Sequence, residues 1–345
     1  MLANFKIVTG GAGMLPTGAD VLSFQPRMED KVHAPLVSIV IPTNKEERNI
    51  ENCLRSIRCQ SYKNIEVIVV DNNSSDKTKE IALKYTQKVF DKVGKSGPPR
   101  RNFGAKIAGG EYIVAVDADM ILSPDLIESC VAWMAQNDCL ALYISEIVLG
   151  KTFWSRVRRF ERSFYDGTVI DAARFYRKDV YDRLGGWDEN LIGVDDWDFD
   201  KKIGQLGSVA LLEGGRLPAG IETQSAWELA DFIKTRGVDP SGRRAVIYHN
   251  ESEFDLRKYL RKKDSYLNTL DAYFHRWGKE DPDIKKQFGF WYRYLVVFVE
   301  NGKWKKLLRH PILTMGMYFL RGMVGFVYVL NGKNLKNKNL LHAET

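Results

Sequence analysis

Three short apolar runs, each followed at once by polar or acidic residues, constrain the fold of this 345-residue chain more than any other feature. The runs VSIVI, IEVIVV and YIVAV occupy residues 37–41, 65–70 and 112–116 and are rich in β-branched side chains. Helical spacing follows each of the first two runs, so the pattern predicts parallel strands joined by right-handed helical crossovers. Ligands bind beyond the carboxyl ends of such strands, and the residues that follow the three runs should therefore meet in one crevice.

The residues that follow these runs are the first candidates for a binding site. They are Pro42, Thr43 and Glu46, then Asp71, and finally Asp117, Ala118 and Asp119. Because alternate residues of a strand share a face, we expect Asp117 and Asp119 to point the same way, with Ala118 leaving room for a ligand. Two carboxylates at a strand end suit a divalent cation and the diphosphate that it neutralises. The competing interpretations are a turn at Asp71, a solvated helix start at Glu46 and a helix cap at the Asp-x-Asp pair.

The positive charge of the chain is concentrated in its last quarter. The whole sequence has a net charge of +7, whereas residues 255–345 hold 18 Lys and Arg against 8 Asp and Glu. The same residues contain the most apolar and aromatic stretches of the chain, so we expect them to bind an anionic membrane surface and not nucleic acid. The predicted organisation is an extension over 1–34, a catalytic domain over 35–254 and a basic, aromatic-rich helical region over 255–345.

Two apolar stretches in the helical region decide how it would meet a membrane. Residues 288–299 are too few to span a bilayer, whereas residues 311–330 are long enough but carry Arg321 in their middle, where a charge opposes insertion. Three interpretations stay open: helices that lie in the membrane interface, a single span, and soluble helices that pack on the protein or on a second copy. Four cysteines without zinc or redox spacing, and an amino terminus without a secretory pattern, favour the cytoplasmic face of the membrane.

Four sequence blocks occur in the order that is typical of one enzyme family. They are SIVIPTNKEERNIENCLRSI, EVIVVDNNSSDKT, GPPRRNFGAKIAGGEYIVAVDAD and GGWDENLIGVDDWDFDKKI. Over about residues 37–213 the chain resembles the family-2 inverting glycosyltransferases. The resemblance implies the GT-A fold, a Rossmann-like mixed α/β sheet flanked by helices, and a nucleotide-sugar donor. Two blocks depart from the family pattern, with Asn72-Asn73 where Asp-Gly is frequent and Asp195 where Glu is usual.

The resemblance also implies a role for each candidate residue. The nucleotide-sugar site would comprise Pro42, Thr43, Glu46, Asp71, Arg101, Asn102, Asp117, Ala118, Asp195 and Trp197. Mn²⁺ or Mg²⁺ would be held by Asp117, Asp119 and His249, with a structural role as the alternative for the histidine. Asp196 would be the base that takes the proton from the acceptor hydroxyl, and helix capping is the competing interpretation of this acidic cluster.

These features together predict a metal-dependent, inverting glycosyltransferase at the cytoplasmic face of a membrane. The donor would be a UDP-sugar and the acceptor a hydroxyl of a lipid-linked or glycan molecule. The first alternative is a polyprenyl-phosphate sugar synthase of the same fold, whose anionic acceptor needs no base. The second is a non-catalytic, membrane-associated scaffold that binds glycans. A long loop over residues 214–245 would close over the site and bring Arg243 and Arg244 to phosphates.

Overall fold

The computed structural model of the chain describes residues 34–94, 96–212, 227–242, 245–251, 254–265 and 267–341. A compact unit that contains all of the elements below begins at Pro35. The predicted extension before Ala34 lies outside the described residues. Arg243, Arg244 and most of the predicted loop before them also lie outside, so their approach to phosphates stays a prediction.

Within the described residues, ten strands form two sheets. They are β1 Val37–Thr43, β2 Ile65–Asp71, β3 Val89–Asp91, β4 Tyr112–Ala115, β5 Met120–Leu122, β6 Ala141–Ile144, β7 Glu146–Val148, β8 Ala173–Arg177, β9 Val209–Leu212 and β10 Ile247–His249. The larger sheet has the order β3-β2-β1-β4-β8-β6-β9, and β5-β10-β7 form a second sheet. β1 pairs in parallel with β2 and β4, whereas β8 is antiparallel to both β4 and β6. The predicted mixed α/β sheet is therefore confirmed.

Helices flank the sheets and make up most of the carboxy-terminal region. They are α1 Ile50–Arg58, α2 Thr78–Leu83, α3 Pro98–Ile107, α4 Leu126–Gln136, α5 Phe153–Arg162, α6 Lys178–Leu184, α7 Asp195–Gly204, α8 Ala230–Thr235, α9 Leu256–Ser265, α10 Leu267–Trp277, α11 Pro282–Phe288, α12 Val297–Val299, α13 Trp304–Arg309 and α14 Pro311–Leu341. A π-helix, Tyr292–Val296, precedes α12, and a 3₁₀ helix, Glu300–Gly302, follows it.

The larger sheet is covered on both faces, as its continuous apolar strands require. Ile39 and Ile41 of β1 pack in one apolar cluster, and Val40 between them packs in the cluster on the other face. Helix α3 lies close to β1 because Gly104 has no side chain: a Cβ there would come 2.4 Å from Val40 Cγ1. This close packing fixes the position of α3, which carries Arg101, beside the strand ends.

The chain leaves the larger sheet earlier than the sequence suggests. β4 ends at Ala115, and the backbone N–H of Met120 donates to the Asp117 carbonyl at 3.0 Å, which closes a turn before β5 begins. The expectation that Asp117 and Asp119 alternate along a strand is therefore wrong. The pairing of β5 with β10 draws the chain into the second sheet and ends β4 short of both carboxylates.

The carboxy-terminal helices pack against the rest of the protein through α5. Val157 and Phe160 of α5 are buried in one cluster with Val297, Phe298 and Met317. None of the described helices is long and apolar enough to cross a bilayer. Arg321, in the middle of the apolar stretch, is buried, and its Nη1 donates to Glu161 Oε1 at 2.9 Å. The positive charge of Arg321 is therefore compensated inside the protein by the Glu161 carboxylate.

Candidate active site

The ends of β1 and β2 meet at a buried carboxylate. Thr43 and Asp71 are paired in register, and the Thr43 hydroxyl donates to Asp71 Oδ1 at 2.6 Å. Ser74 donates to the same carboxylate through its backbone N–H at 2.6 Å and its hydroxyl at 2.7 Å. A carboxylate can accept about four hydrogen bonds, so the Asp71 carboxylate retains the capacity to accept one more. Pro42 lies one register position earlier, beside Val70.

Glu46 lies beyond β1, near the Asp-x-Asp turn. Its Oε2 accepts a hydrogen bond from Asn49 Nδ2 at 2.9 Å, and its backbone N–H donates to Thr78 Oγ1 at 2.8 Å. Burial raises the pKa of the Glu46 carboxyl, the hydrogen bond from Asn49 lowers it, and the charges of Asp119 and Asp117 raise it further. Glu46 is therefore not the freely solvated helix start that was the competing interpretation.

One arginine joins three of the predicted site carboxylates. Arg101 donates through Nη1 to Asp195 Oδ2 and to Asp196 Oδ1, and through Nη2 to Asp117 Oδ1, each at 3.0 Å. Burial alone would lower the pKa of Arg101, but the charges of Asp196, Asp117 and Asp195 outweigh burial and raise the pKa above its usual value. The guanidinium fork thus ties the end of β4 to the first turn of α7, and it stays charged while it does so.

The three carboxylates in the first turn of α7 differ in burial and in their partners. Asp195 is buried and accepts from the Gly193 N–H at 2.9 Å, and burial, with the adjacent charge of Asp196, raises the pKa of its carboxyl. Asp198 is fully buried and accepts from Arg276 Nη1 at 2.8 Å and from Trp277 Nε1 at 2.9 Å, away from Arg101. Asp196 has a side chain that is 24 % exposed and its described partner is Arg101. Of the three carboxylates, Asp196 is the most exposed to solvent.

Asp119 and His249 are neighbours across the second sheet. His249 pairs with Met120 in register, and its Nε2 lies 3.3 Å from Asp119 Oδ2. Two ligands of one octahedral ion at about 2.1 Å are about 3 Å apart, so these two atoms fit a divalent cation. The oxygens of Asp117 face arginines instead, with Oδ2 3.8 Å from Arg174 Nη1. Across the described ranges, no three His, Cys, Asp or Glu side chains are grouped closely enough to hold a metal ion.

The Asn102 side chain links α3 to the turn before α7 through two hydrogen bonds. Its Nδ2 donates to the Trp187 carbonyl at 2.8 Å, and its Oδ1 accepts from the Trp187 N–H at 3.0 Å. Gly186 in this turn has a φ of +82°, and a Cβ there would come 2.4 Å from Asn102 Oδ1. Both ends of the Asn102 amide are thus used within the protein. Ala118 is buried in the apolar core, and Trp197 is half-buried against Phe288.

Residues 38–185 match the family model described as Glycosyl transferase family 2. This part of the chain is a family 2 glycosyltransferase domain. A glycosyltransferase of Rickettsia typhi is 38% identical over 103 residues, which are 29% of this chain and 32% of the relative. Glycosyltransferase GlyG of Streptococcus pneumoniae is 30% identical over 124 residues, or 34% and 39% of the two chains. The match thus spans less than half the length of these curated relatives.

A solved structure shows that the fold extends beyond the family 2 match. The mannosyltransferase PcManGT of Pyrobaculum calidifontis, solved in complex with GDP-Man and Mn²⁺, superposes with a TM-score of 0.54 at 19% identity. The superposition covers 89% of this chain and 88% of that one, and it confirms the predicted GT-A fold. Thr43, Asp71, Arg101, Asp117 and Asp119 lie inside the family 2 match, whereas α7 and β10 follow it in the chain.

Two buried charges beside the family 2 site were not predicted as site residues. Arg174 of β8 donates through Nε to Glu146 Oε1 at 3.0 Å, and Glu146 Oε2 lies 3.6 Å from His249 Nδ1. Burial would raise the pKa of Glu146, but Arg162 and Arg174 outweigh it and hold the pKa well below its usual range. The sequence feature that could have indicated these two residues is a charged side chain within a short buried strand, Arg174 in ARFYR and Glu146 in EIV. The pair links the arginines around Asp117 to the histidine beside Asp119.

Proposed function

We propose that this chain is an inverting glycosyltransferase that moves a sugar from a UDP-sugar to a hydroxyl of a lipid-linked or glycan acceptor. The observation that carries the proposal is the hydrogen bonding of one guanidinium, Arg101, to Asp117, Asp195 and Asp196. Asp71 ends β2 and Asp117 follows β4, on the two sides of β1, and the pair Asp119–His249 comes just after Asp117. Ligands bind at this edge of the sheet in this class of fold.

In this proposal the side chains around Arg101 divide the work of an in-line displacement. Asp71 accepts a hydrogen bond from the base, and Arg101 and Asp117 lie beside the diphosphate. Asp196 takes the proton from the acceptor hydroxyl as the hydroxyl attacks the anomeric carbon. Asp119 and His249 would hold Mn²⁺ or Mg²⁺, which supplies positive charge to the departing nucleoside diphosphate. Arg174 and Glu146 keep Asp117 and His249 in place.

The proposed nucleotide site predicts a thermal shift that depends on metal. UDP with Mn²⁺ at about 100 times Kd should stabilise the native state by about 2.7 kcal/mol and raise the melting temperature. Asp119→Ala should lose the metal-dependent part of the shift, because it removes one of the two donor atoms. Melting curves with UDP, GDP, CDP and buffer, each with and without Mn²⁺, measure this effect.

Each other outcome of the melting experiment contradicts a definite part of the proposal. A shift with GDP alone would replace UDP as the nucleotide and implicate Asn72 beside the base. A shift that Asp119→Ala leaves unchanged would remove the metal from the site. The absence of a shift with every nucleotide, also in the presence of liposomes, would favour the non-catalytic scaffold.

We further propose that the protein binds peripherally to the cytoplasmic face of a membrane through a membrane-facing surface, defined by Trp291, Ile312, Met315, Phe319 and Phe326. These side chains are 53–74 % exposed, and the last four recur at helical spacing on α14. The exposed Lys305 and Arg309 of α13 flank them. An apolar helix face bordered by basic residues fits the interface of a bilayer with anionic lipids.

Met315→Asp should weaken the binding to vesicles of anionic lipid by about tenfold, since it removes one inserted side chain and adds a repelled charge. Co-sedimentation with vesicles measures the bound fraction. Leu83→Asp makes the same kind of change on α2, where Leu83 is 48 % exposed, and should leave binding unchanged. Equal binding of Met315→Asp and the unaltered protein would show that the membrane-facing surface does not contact lipid.

A further inference from the structure

A cavity of about 300 Å³ lies between the family 2 domain and the carboxy-terminal helices. On one side it is lined by Arg174 and by Trp197 of α7. On the other side the lining includes Arg293 and Tyr294 of the π-helix and Arg321 of α14. Of the site residues described above, Glu146, Arg174 and Trp197 line the cavity, and the rest of its lining lies outside the donor site, so the donor alone does not account for it.

The side chains that line the cavity carry an excess of positive charge. Five arginines line it, Arg158, Arg162, Arg174, Arg293 and Arg321, against three carboxylates, Glu146, Glu161 and Asp171. The carboxylates are already shared: Glu146 contacts Arg162 and Arg174, and Glu161 contacts Arg158 and Arg321. Three further carboxylates lie outside the lining: Glu251, Asp166 and Asp117 are 4.0, 3.6 and 3.8 Å from Arg158, Arg162 and Arg174. Four of the five lining arginines therefore have carboxylate partners. The attraction for an anionic ligand therefore depends on the arginines whose donors are not all used within the protein.

Two of the arginines, Arg293 and Arg321, have guanidinium N–H groups that the described carboxylates do not use. Among the described residues Arg293 has no carboxylate partner, and its guanidinium carbon lies 5.9 Å from the centre of the Tyr165 ring. Arg321 bonds to Glu161 and to the Tyr165 hydroxyl through Nη1 alone, and its buried Nε has no partner within the described part of the chain. Guanidinium groups with free donors bind phosphate oxygens well, because their planar fork matches the oxygen geometry.

The same wall of the cavity forms part of the membrane-facing surface. Arg293 and Tyr294 line the cavity, whereas their neighbours Trp291 and Leu295 are 72 % and 48 % exposed. Gly325 of α14 also lines it and is followed by the exposed Phe326. A Cβ at Gly325 would come 2.5 Å from the Tyr294 hydroxyl oxygen, so the two walls meet closely here. The Tyr294 hydroxyl also donates to the Arg321 carbonyl at 2.8 Å. The cavity therefore lies directly behind the membrane-facing surface, with the packed π-helix and α14 as its wall.

The cavity also extends to the start of α7, the helix that carries the proposed base. Gly193, Val194 and Trp197 line it and stand on either side of Asp196 in the chain. Arg174, also in the lining, is 3.8 Å from Asp117. The cavity thus lies between the helices of the membrane-facing surface and the start of α7, and Arg174 borders both the cavity and the active site.

We propose that this cavity binds the phosphate-bearing head of a membrane lipid, with the phosphate on Arg293 and Arg321 and the acceptor end directed toward Asp196. The inference rests on the proposed glycosyl transfer, for which it names the acceptor as a phosphorylated lipid. The shared chemistry is a phosphate group, and the lipid chain distinguishes this ligand from a free phosphate ion.

The test measures binding of farnesyl phosphate to the full chain by calorimetry, without any donor. Arg293→Gln should weaken the binding at least about tenfold, because it removes a charge-assisted contact to phosphate. Arg293→Lys keeps the charge and should retain most of the affinity. Arg156→Gln removes one charge from the exposed side of α5 and should change nothing. Farnesol and inorganic phosphate should each bind at least about tenfold more weakly than farnesyl phosphate.

Three results would overturn the inference. The first is equally tight binding of farnesyl phosphate by the Arg293→Gln and Arg156→Gln variants. The second is binding of farnesol as tight as that of its phosphate, and the third is displacement of the lipid by inorganic phosphate at equal concentration. The melting experiment with UDP, repeated on the Arg293 variants, separates the two proposals. A retained UDP shift without lipid binding refutes the acceptor cavity alone, whereas Arg293-dependent lipid binding without any nucleotide shift refutes the donor site.

Discussion

Replacing Arg101 with glutamine is expected to destabilise the fold by about 3 kcal/mol and to abolish glycosyl transfer. The change removes the cation that hydrogen bonds to Asp117, Asp195 and Asp196 and leaves three carboxylates facing one another. The loss should lie at the low end of the range for broken buried pairs, because the Asp117 and Asp196 side chains are 32 % and 24 % exposed. Urea unfolding followed by circular dichroism measures the free energy directly.

The neighbouring arginine provides a matched control for this prediction. Arg100 is as buried as Arg101, at 7 % against 8 %, but its described side-chain bond is to the Gly94 carbonyl at 3.1 Å. Arg100→Gln should therefore cost about 1 kcal/mol, the value of one hydrogen bond. Equal unfolding free energies for the Arg100 and Arg101 variants would show that the three ion pairs do not stabilise the site. Arg101→Lys should fall between the two, since an ammonium group cannot bridge all three carboxylates at once.

The sequence predicted which residues meet at the sheet edge but not how each is held. Parallel pairing of β1 with β2 and β4 brings Thr43, Asp71 and the Asp-x-Asp turn together, and apolar runs with helical spacing between them are enough to predict that pairing. The prediction that Asp117 and Asp119 share one strand face was wrong, because Asp117 contacts arginines and Asp119 lies beside His249. Their orientation depends on where β4 ends, which is decided by the pairing of β5 with β10, more than 120 residues later in the chain.

Ion pairs between distant segments of the chain could not be predicted from the sequence, because no local pattern of residues encodes them. Arg321 stands in the middle of an apolar stretch, and the sequence left a membrane span open for it. Its partner Glu161 lies on α5, 160 residues earlier, so only the packing of α14 on α5 shows that the charge is satisfied inside the protein. Arg174 and Glu146 were missed for the same reason, because each looks like an isolated charge in a strand until the strands are placed side by side.

Asp196→Asn is expected to lower the rate of transfer to a hydroxyl acceptor by about 10³-fold, within the range that general base catalysis contributes. Asparagine keeps the shape of the side chain and an oxygen for the hydrogen bond from Arg101 Nη1, but it cannot take the proton of the acceptor. Nucleotide binding and the melting temperature should stay close to those of the unaltered protein. Turnover with saturating donor and acceptor, together with the UDP thermal shift, measures both quantities.

Asp198→Asn is the matched control on the same helix, because its effect should be on stability and not on the chemical step. Asp198 is fully buried and paired with Arg276, Lys202 and Trp277, so the change removes a buried charge from two cations. Its melting temperature should fall while the rate per folded molecule is retained. If instead Asp196→Asn retains full activity, the acceptor needs no base, and the nucleophile is an oxygen that is already ionised. The phosphate that the arginine-lined cavity is proposed to hold would then be the reacting group, as in a polyprenyl-phosphate sugar synthase.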